Sequence, residues 1–197
     1  SLYKSSGDEY AVFNLSHEAL IEKRPLPLHE IYHPAWKTAV LRQGLDAEGD
    51  TLTLAFNPPG GHRHYDNLAL FYADGDRTLA SDLGYLGDMP VNRWIRSTAS
   101  HNLVVVDGEE QAFSGRTTEF GFMVTSPMAS VVEARSNAYP QCTDYRRRVV
   151  LVKVNDNETF AIDLFSVTGG SEHRYRAISE LASSDHAEGF LEFNGVS

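Results

Sequence analysis

Apolar and polar residues alternate with a period of two along much of this chain. Neighbouring side chains of a strand point to opposite faces of a sheet, so this period is typical of half-buried β-strands. Alternating or short β-branched runs lie at 38–42, 51–56, 68–72, 103–106, 148–154 and 159–165. Turn-forming pairs such as Asp74-Gly75, Asp107-Gly108 and Gly169-Gly170 separate them. The pattern predicts an all-β fold, an antiparallel β-sandwich.

The two ends of the chain differ from this pattern. Residues 1–30 are predicted to form a connector with one or two short helices that end before Pro25 and Pro27. Residues 31–197 are predicted to form the sandwich, and we expect it to be truncated because the chain stops at 193–197, just after a strand-like segment.

Composition narrows the range of partners. The 197 residues include 17 basic and 27 acidic side chains, a formal net charge of −10. This acidity argues against a nucleic-acid partner, since phosphate binding needs a basic field. No apolar run approaches the roughly 20 residues that span a bilayer, so we expect no membrane insertion.

Histidines and aspartates cluster between residues 62 and 101. In an extended segment His62, His64 and Asp66 would project from one side. The Asp74-Gly75 turn can return the chain so that Asp82 approaches them, and His101 stands just before another strand. Two imidazoles and a carboxylate suit zinc, so His64, Asp82 and His101 are candidate ligands. Their spacing alone favours a structural interpretation, in which His62 and His64 are polar positions on an edge strand, Asp82 caps a turn and His101 is a half-buried histidine.

The stretch from Gly61 to Gln111 carries a more specific signal. It contains a His-x-His-x-Asp opening, the triplet Asp82-Leu83-Gly84, and the run from Arg96 to Asn102 that leads into Val105-Val106-Asp107-Gly108. This stretch, with 145–149 and 160–165, resembles the C-terminal part of the heparinase II/III-like polysaccharide lyases. The resemblance implies an α/α toroid followed by an antiparallel β-sandwich, with residues 1–30 as the tail of the helical domain.

The resemblance also implies roles for particular residues. His64, Asp82 and His101 match the family's zinc positions, where the metal is structural. His62 matches a catalytic-site histidine that lies beside the scissile unit, where it neutralises the uronate carboxylate or assists proton transfer. The family's principal acid and base residues belong to the toroid, so the isolated chain is expected to be inactive. The implied reaction is β-elimination on a polysaccharide that contains uronic acid.

An acidic polysaccharide needs a local basic and aromatic surface on this acidic chain. Arg93, Arg96, Tyr85 and Trp94 are the substrate-binding candidates, because the loop that holds them precedes His101. Arg146, Arg147 and Arg148 cannot form a single clamp, since in a strand the middle arginine faces the other side.

Two other functions remain open at this point. The first is a non-catalytic carbohydrate-binding sandwich whose metal only holds loops. The second, a cupin-type metal enzyme, fits less well because Leu68 and Ala69 stand where its glutamate is expected. The resemblance implies a periplasmic or extracellular bacterial protein. We also expect self-association through the apolar surface that would face the helical domain.

Overall fold

A computed structural model describes residues 29–44, 49–57, 64–75, 77–84, 89–156 and 158–178. The helices predicted before Pro25 and the strand-like segment near the C-terminus lie outside the described residues, so the domain boundary at residue 30 stays a prediction. His62 and Tyr85 lie outside them as well.

Within these residues the chain is built almost entirely from strands. They are β1 (Ile31–His33), β2 (Thr38–Gln43), β3 (Asp50–Ala55), β4 (Ala69–Asp74), β5 (Arg77–Ala80), β6 (Leu103–Val106), β7 (Thr118–Thr125), β8 (Ala129–Ser136), β9 (Cys142–Lys153), β10 (Thr159–Gly169) and β11 (His173–Arg176). The described helical segments are α1 (Asn92–Ile95) and a 3₁₀ turn over Thr98–Ser100. None of the described helices is long and apolar enough to span a bilayer.

The strands form two main antiparallel sheets. One has the order β1-β2-β3-β4-β5, and the other has the order β10-β9-β8-β7. Strands β6 and β11 form a separate antiparallel pair. The predicted all-β, sandwich-type architecture is confirmed.

The core lies between the inner faces of the two main sheets. Leu41, Leu52 and Leu54 of the first sheet and Val149 and Leu151 of the second are fully buried in one cluster. In each of these strands the buried residues alternate with more exposed ones, as the period of two predicts. Burial of this apolar surface is the main favourable contribution to folding.

A fully buried charged side chain lies within this core. Arg147, on the inner face of β9, is fully buried, whereas its neighbours Arg146 and Arg148 are partly exposed, as strand alternation predicts. Its Nε and Nη2 atoms donate to the two carboxylate oxygens of Asp163 at 2.8 and 2.7 Å. The guanidinium also lies over the ring of Phe165, 5.1 Å from its centroid. A buried charge is tolerated only when it is paired and hydrogen-bonded in this way.

Strands β7 and β8 carry no clear signal in the sequence. The inner face of β8 uses small residues, Ser130, Val132 and Ala134, so its apolar contrast is low. Strand β7 is an edge strand whose register shifts near Gly121. Both features weaken the alternation that identifies a strand.

The outward side of the four-stranded sheet is unusually apolar. Its exposed members, which we call the outer apolar face, are Val124, Phe160, Ile162 and Leu164. Three of them alternate along β10, the edge strand of that sheet. An exposed apolar patch on a sheet face is typical of an interaction surface.

Candidate metal centre

Three separate segments bring His64, Asp82 and His101 together. His64 precedes β4, Asp82 follows β5, and His101 precedes β6. Nδ1 of His64 lies 3.0 Å from Nε2 of His101. Oδ2 of Asp82 lies 3.2 Å from that Nε2 and 3.7 Å from Nδ1 of His64. The three candidate ligands found in the sequence therefore present one ligand atom each to a common point.

The His101 ring is held from its far side. Its Nδ1 lies 2.7 Å from the main-chain carbonyl oxygen of Ser97, and the side chain is 1% exposed. A carbonyl only accepts hydrogen bonds, so Nδ1 carries the proton and Nε2 is left as the lone-pair atom of the neutral ring. An outer carbonyl of this kind orients many metal-binding imidazoles.

The Asp82 carboxylate is oriented by the turn that follows it. The main-chain N–H of Gly84 donates to Oδ1 of Asp82, which leaves Oδ2 facing the two imidazoles. Gly84 has a φ of +70°, a left-handed conformation that glycine adopts without steric cost. The Asp-x-Gly spacing is therefore the local feature that aims the carboxylate.

The charges of the cluster stabilise one another. Burial alone would lower the pKa of His101, but its hydrogen bond to Asp82 and the charges of Asp66 and Asp82 raise it above the ordinary value. Burial likewise opposes ionisation of Asp82, yet the hydrogen bonds from His101 and Gly84 keep its pKa below the usual range. Without a metal ion, the pair thus favours an ionised carboxylate that faces a protonated His101 imidazolium.

Asp66 is a fourth member that the proposed ligand set left out. Ligand atoms of His64, Asp66, Asp82 and His101 all lie within 4.8 Å of one another. The other three make contacts of 3.0 to 3.7 Å, so the longest separations involve Asp66. Burial raises the pKa of Asp66 despite the nearby histidines. The His-x-Asp spacing, which places both residues on one side of an extended segment, is the sequence signal for it.

The geometry fits a small tetrahedral cation. Zinc binds nitrogen and oxygen at roughly 2.0 to 2.2 Å, and the edge of such a tetrahedron is about 3.4 Å. The three distances between ligand atoms in the cluster lie on either side of that value. Nitrogen and carboxylate donors also match the ligand preference of zinc. The cluster can hold a metal ion with His64, Asp82 and His101 as the inner ligands.

The main chain of Arg96, one of the proposed substrate-binding residues, lies next to this cluster. The main-chain carbonyl of Arg96 accepts a hydrogen bond from Tyr65 N–H at 3.0 Å, directly after His64. Arg93 is exposed and Trp94 is 47% exposed, so neither side chain belongs to the core. The role of these residues in binding sugars stays a prediction.

The raised pKa of His101 can be measured in the metal-free chain. We expect Asp82→Asn to lower it, because the substitution removes the negative charge while the burial of the imidazole remains. An NMR titration of the histidine ring protons measures this, with Asp144→Asn on β9 as a control that removes an equal charge away from the cluster. A His101 pKa that Asp82→Asn leaves unchanged contradicts the ion pair.

One protein-family model matches most of this chain. The model of the heparinase II/III-like C-terminal domain matches residues 34–189, which include the whole cluster. No curated protein matches the chain.

Solved structures share the fold. Heparan sulfate lyase HepC from Pedobacter heparinus is 20% identical, with a TM-score of 0.60, over 78% of this chain and 24% of its own. The heparinase III BT4657 gene product is 19% identical, with a TM-score of 0.63, over 82% of this chain and 25% of its own. The chain therefore spans about a quarter of the length of these solved lyases. The chain belongs to the heparinase II/III-like family and corresponds to its C-terminal β-sheet domain.

Proposed function

We propose that this chain is the β-sandwich part of a polysaccharide lyase that cleaves a uronic-acid-containing polysaccharide by β-elimination. The observation that carries the proposal is the cluster of His64, Asp82 and His101, whose geometry fits zinc, inside a domain of the heparinase II/III-like family. The solved relatives are a heparan sulfate lyase and a heparinase III, which supports an acidic polysaccharide as the substrate class.

Zinc at this cluster has a structural role in the proposal. When bound, it supplies a fixed positive charge that joins three chain segments. The imidazole of His101, held by the Ser97 carbonyl, presents Nε2 to the ion, and the carboxylate of Asp82, held by Gly84 N–H, presents Oδ2. Because both side chains are already oriented in this way, little conformational entropy is lost when the ion binds.

His62 is proposed as the residue that meets the substrate. In β-elimination a base removes the C5 proton of the uronate, the bond between C4 and the glycosidic oxygen breaks, and a C4–C5 double bond forms. An acid returns a proton to the leaving oxygen. Negative charge develops on the uronate carboxylate, so a donor placed beside it lowers the barrier. His62 stands two positions before the buried His64 in the sequence, which supports a position beside the cluster.

The side chains in and directly after α1 supply the contacts to sugar in this proposal. Arg93 and Arg96 offer charge-assisted hydrogen bonds to carboxylates, and Trp94 offers a ring for stacking. Tyr85 is proposed for the same surface from its place in the sequence. The acidic polysaccharide would thus meet a locally basic and aromatic surface on a chain with a net charge of −10. By its family, we place the protein in the periplasm or outside a bacterial cell.

Zinc content tests the cluster directly. We expect the purified chain to hold about one zinc after dialysis, and His64→Ala and Asp82→Ala to lose it because each removes an inner ligand. Asp66→Asn should retain zinc, since Asp66 accounts for the longest separations in the group. Plasma mass spectrometry gives the stoichiometry, with exposed His173→Ala as the control. A folded chain without stoichiometric metal contradicts the zinc site.

Lyase activity tests the role of His62. We expect no cleavage by this chain alone, and cleavage of uronate oligosaccharides by a longer protein in which a helical domain precedes it. The unsaturated product is measured by its ultraviolet absorbance. In that protein His62→Ala should lower kcat by about 100-fold or more, whereas Arg93→Ala should mainly raise KM. Tight binding of the oligosaccharide without any product would instead support the non-catalytic carbohydrate-binding function.

The expected self-association can be tested by substitutions in the outer apolar face. We propose that copies of the chain associate through this face, three of whose members lie on the edge strand β10. Sedimentation velocity of the chain should show a concentration-dependent shift that Ile162→Lys abolishes. Leu79→Lys on β5 is the matched control, because Leu79 and Ile162 are both 40% exposed. A chain that stays monomeric at all concentrations contradicts this proposal.

A further inference from the structure

The three segments of the metal cluster are not held by one sheet. Strands β4 and β5 are hydrogen-bonded neighbours, so pairing relates the segment of His64 to that of Asp82. His101 precedes β6, which pairs with β11 in the separate two-stranded sheet. Strand pairing alone therefore does not fix the position of His101 relative to the other two ligands. Single main-chain hydrogen bonds, from Leu70 N–H to the Asn102 carbonyl at 3.2 Å and from Tyr65 N–H to the Arg96 carbonyl at 3.0 Å, join the segments together with side-chain contacts.

The side-chain amide of Asn102 makes the first of these contacts. Its Nδ2 donates to the main-chain carbonyl of Leu70 at 3.1 Å and to that of Ser81 at 2.8 Å. Ser81 directly precedes Asp82, and Asn102 directly follows His101. The Oδ1 of Asn102 accepts from Ile178 N–H, and the side chain is buried. One amide group thus spans the two segments that carry Asp82 and His101.

The buried guanidinium of Arg147 makes the second contact. Its Nη1 donates to the main-chain carbonyl of Leu68, at 2.7 Å, and to that of Asn102. Leu68 lies in the turn that connects His64 and Asp66 to β4, and it has a φ of +67°. The opposite side of the guanidinium is held by Asp163, and Nη2 also donates to the hydroxyl of Tyr175 at 2.9 Å. Arg147 therefore joins the segment of His64 to the segment of His101.

We propose that Asn102 and Arg147 are positioning residues of the metal centre. Neither is among the residues that could ligate the ion, and both bind main-chain carbonyls one to six residues away from the ligands. Together they set the separations among His64, Asp82 and His101. The inference rests on the proposed zinc site and adds the residues that keep its ligands in place before the ion binds.

Their effect is on the affinity and geometry of the site. Without the amide of Asn102, the segments of Asp82 and His101 can drift apart, and the ion must draw them together when it binds. Substitutions of outer residues that orient metal ligands typically weaken affinity about 10- to 100-fold. A residue that only stabilises the core would lower the stability of the fold and leave the affinity of the folded chain unchanged.

The test is zinc affinity measured against fold stability in the full chain. Asn102→Leu keeps a similar side-chain shape and removes the hydrogen bonds of the amide. Gln43→Met is the matched control, because Gln43 is also a buried amide that donates two hydrogen bonds, to Ser126 and Ser130 in the region of β7 and β8. Competition with a chromophoric chelator gives the Kd for zinc, urea denaturation gives the stability, and the visible spectrum of bound Co²⁺ reports the ligand geometry.

We expect Asn102→Leu to raise the Kd about tenfold and to alter the Co²⁺ spectrum, while Gln43→Met loses stability with an unchanged Kd and spectrum. A Kd less than about threefold above that of the unaltered chain, or an equal rise in Gln43→Met, overturns the inference.

A milder variant covers the case in which Asn102→Leu does not fold. Tyr175→Phe removes one hydrogen bond from Arg147 and one from Asp163, and leaves the direct pairing of Arg147 with Asp163 in place. We then expect a Kd raised at least about threefold, and an unchanged Kd overturns the inference. If the unaltered chain takes up no zinc, the proposed site itself fails. Zinc uptake that is insensitive to these substitutions removes only the positioning role.

Discussion

A fully buried cation, Arg147, organises the interior of this domain. It is fully buried on β9 and is compensated by Asp163, by two main-chain carbonyls and by the face of an aromatic ring. An unpaired charge in this position would cost several kcal/mol, so the folded core depends on all of these partners. The carbonyls belong to the segments that lead from the metal cluster into β4 and β6, and the requirement to satisfy the guanidinium therefore also shapes the cluster.

The cluster illustrates how an all-β fold builds a site from strand ends. His64, Asp82 and His101 stand before or after strands rather than within them. Side chains within the strands alternate between core and solvent, so few of them can converge, whereas residues at strand ends are free to turn towards one point. The Ser97 carbonyl and the Gly84 N–H then select one orientation for each ligand. A site prepared in this way binds a cation with little rearrangement of the chain.

The outer apolar face bears on how this domain relates to the larger lyases. It exposes Val124, Phe160, Ile162 and Leu164 on one sheet, and an exposed apolar patch of this kind is typical of a surface that contacts another domain or protein. The solved lyases that share the fold are about four times as long as the part that this chain matches. In the proposed function the β-sandwich supplies a rigid metal-bound surface with His62 and α1, and the acid and base belong to a separate helical domain.

The sequence by itself determined the period of two, the turns and the candidate ligands. Strand alternation predicts that Arg147 lies on the other face of its strand from Arg146 and Arg148, and the Asp74-Gly75 turn predicts the return of the chain from β4 to β5. Alternation and turn formation depend only on residues close in sequence. Strands β7 and β8 were not predicted from the sequence, because small inward residues and a register shift weaken the local pattern of alternation. Only the tertiary structure decided which distant groups meet: Asp66 joins the cluster, Asn102 bridges to Ser81, and Arg147 reaches Leu68 across 79 residues of sequence. Such contacts depend on how separate sheets pack, and no short-range pattern of residues encodes that packing.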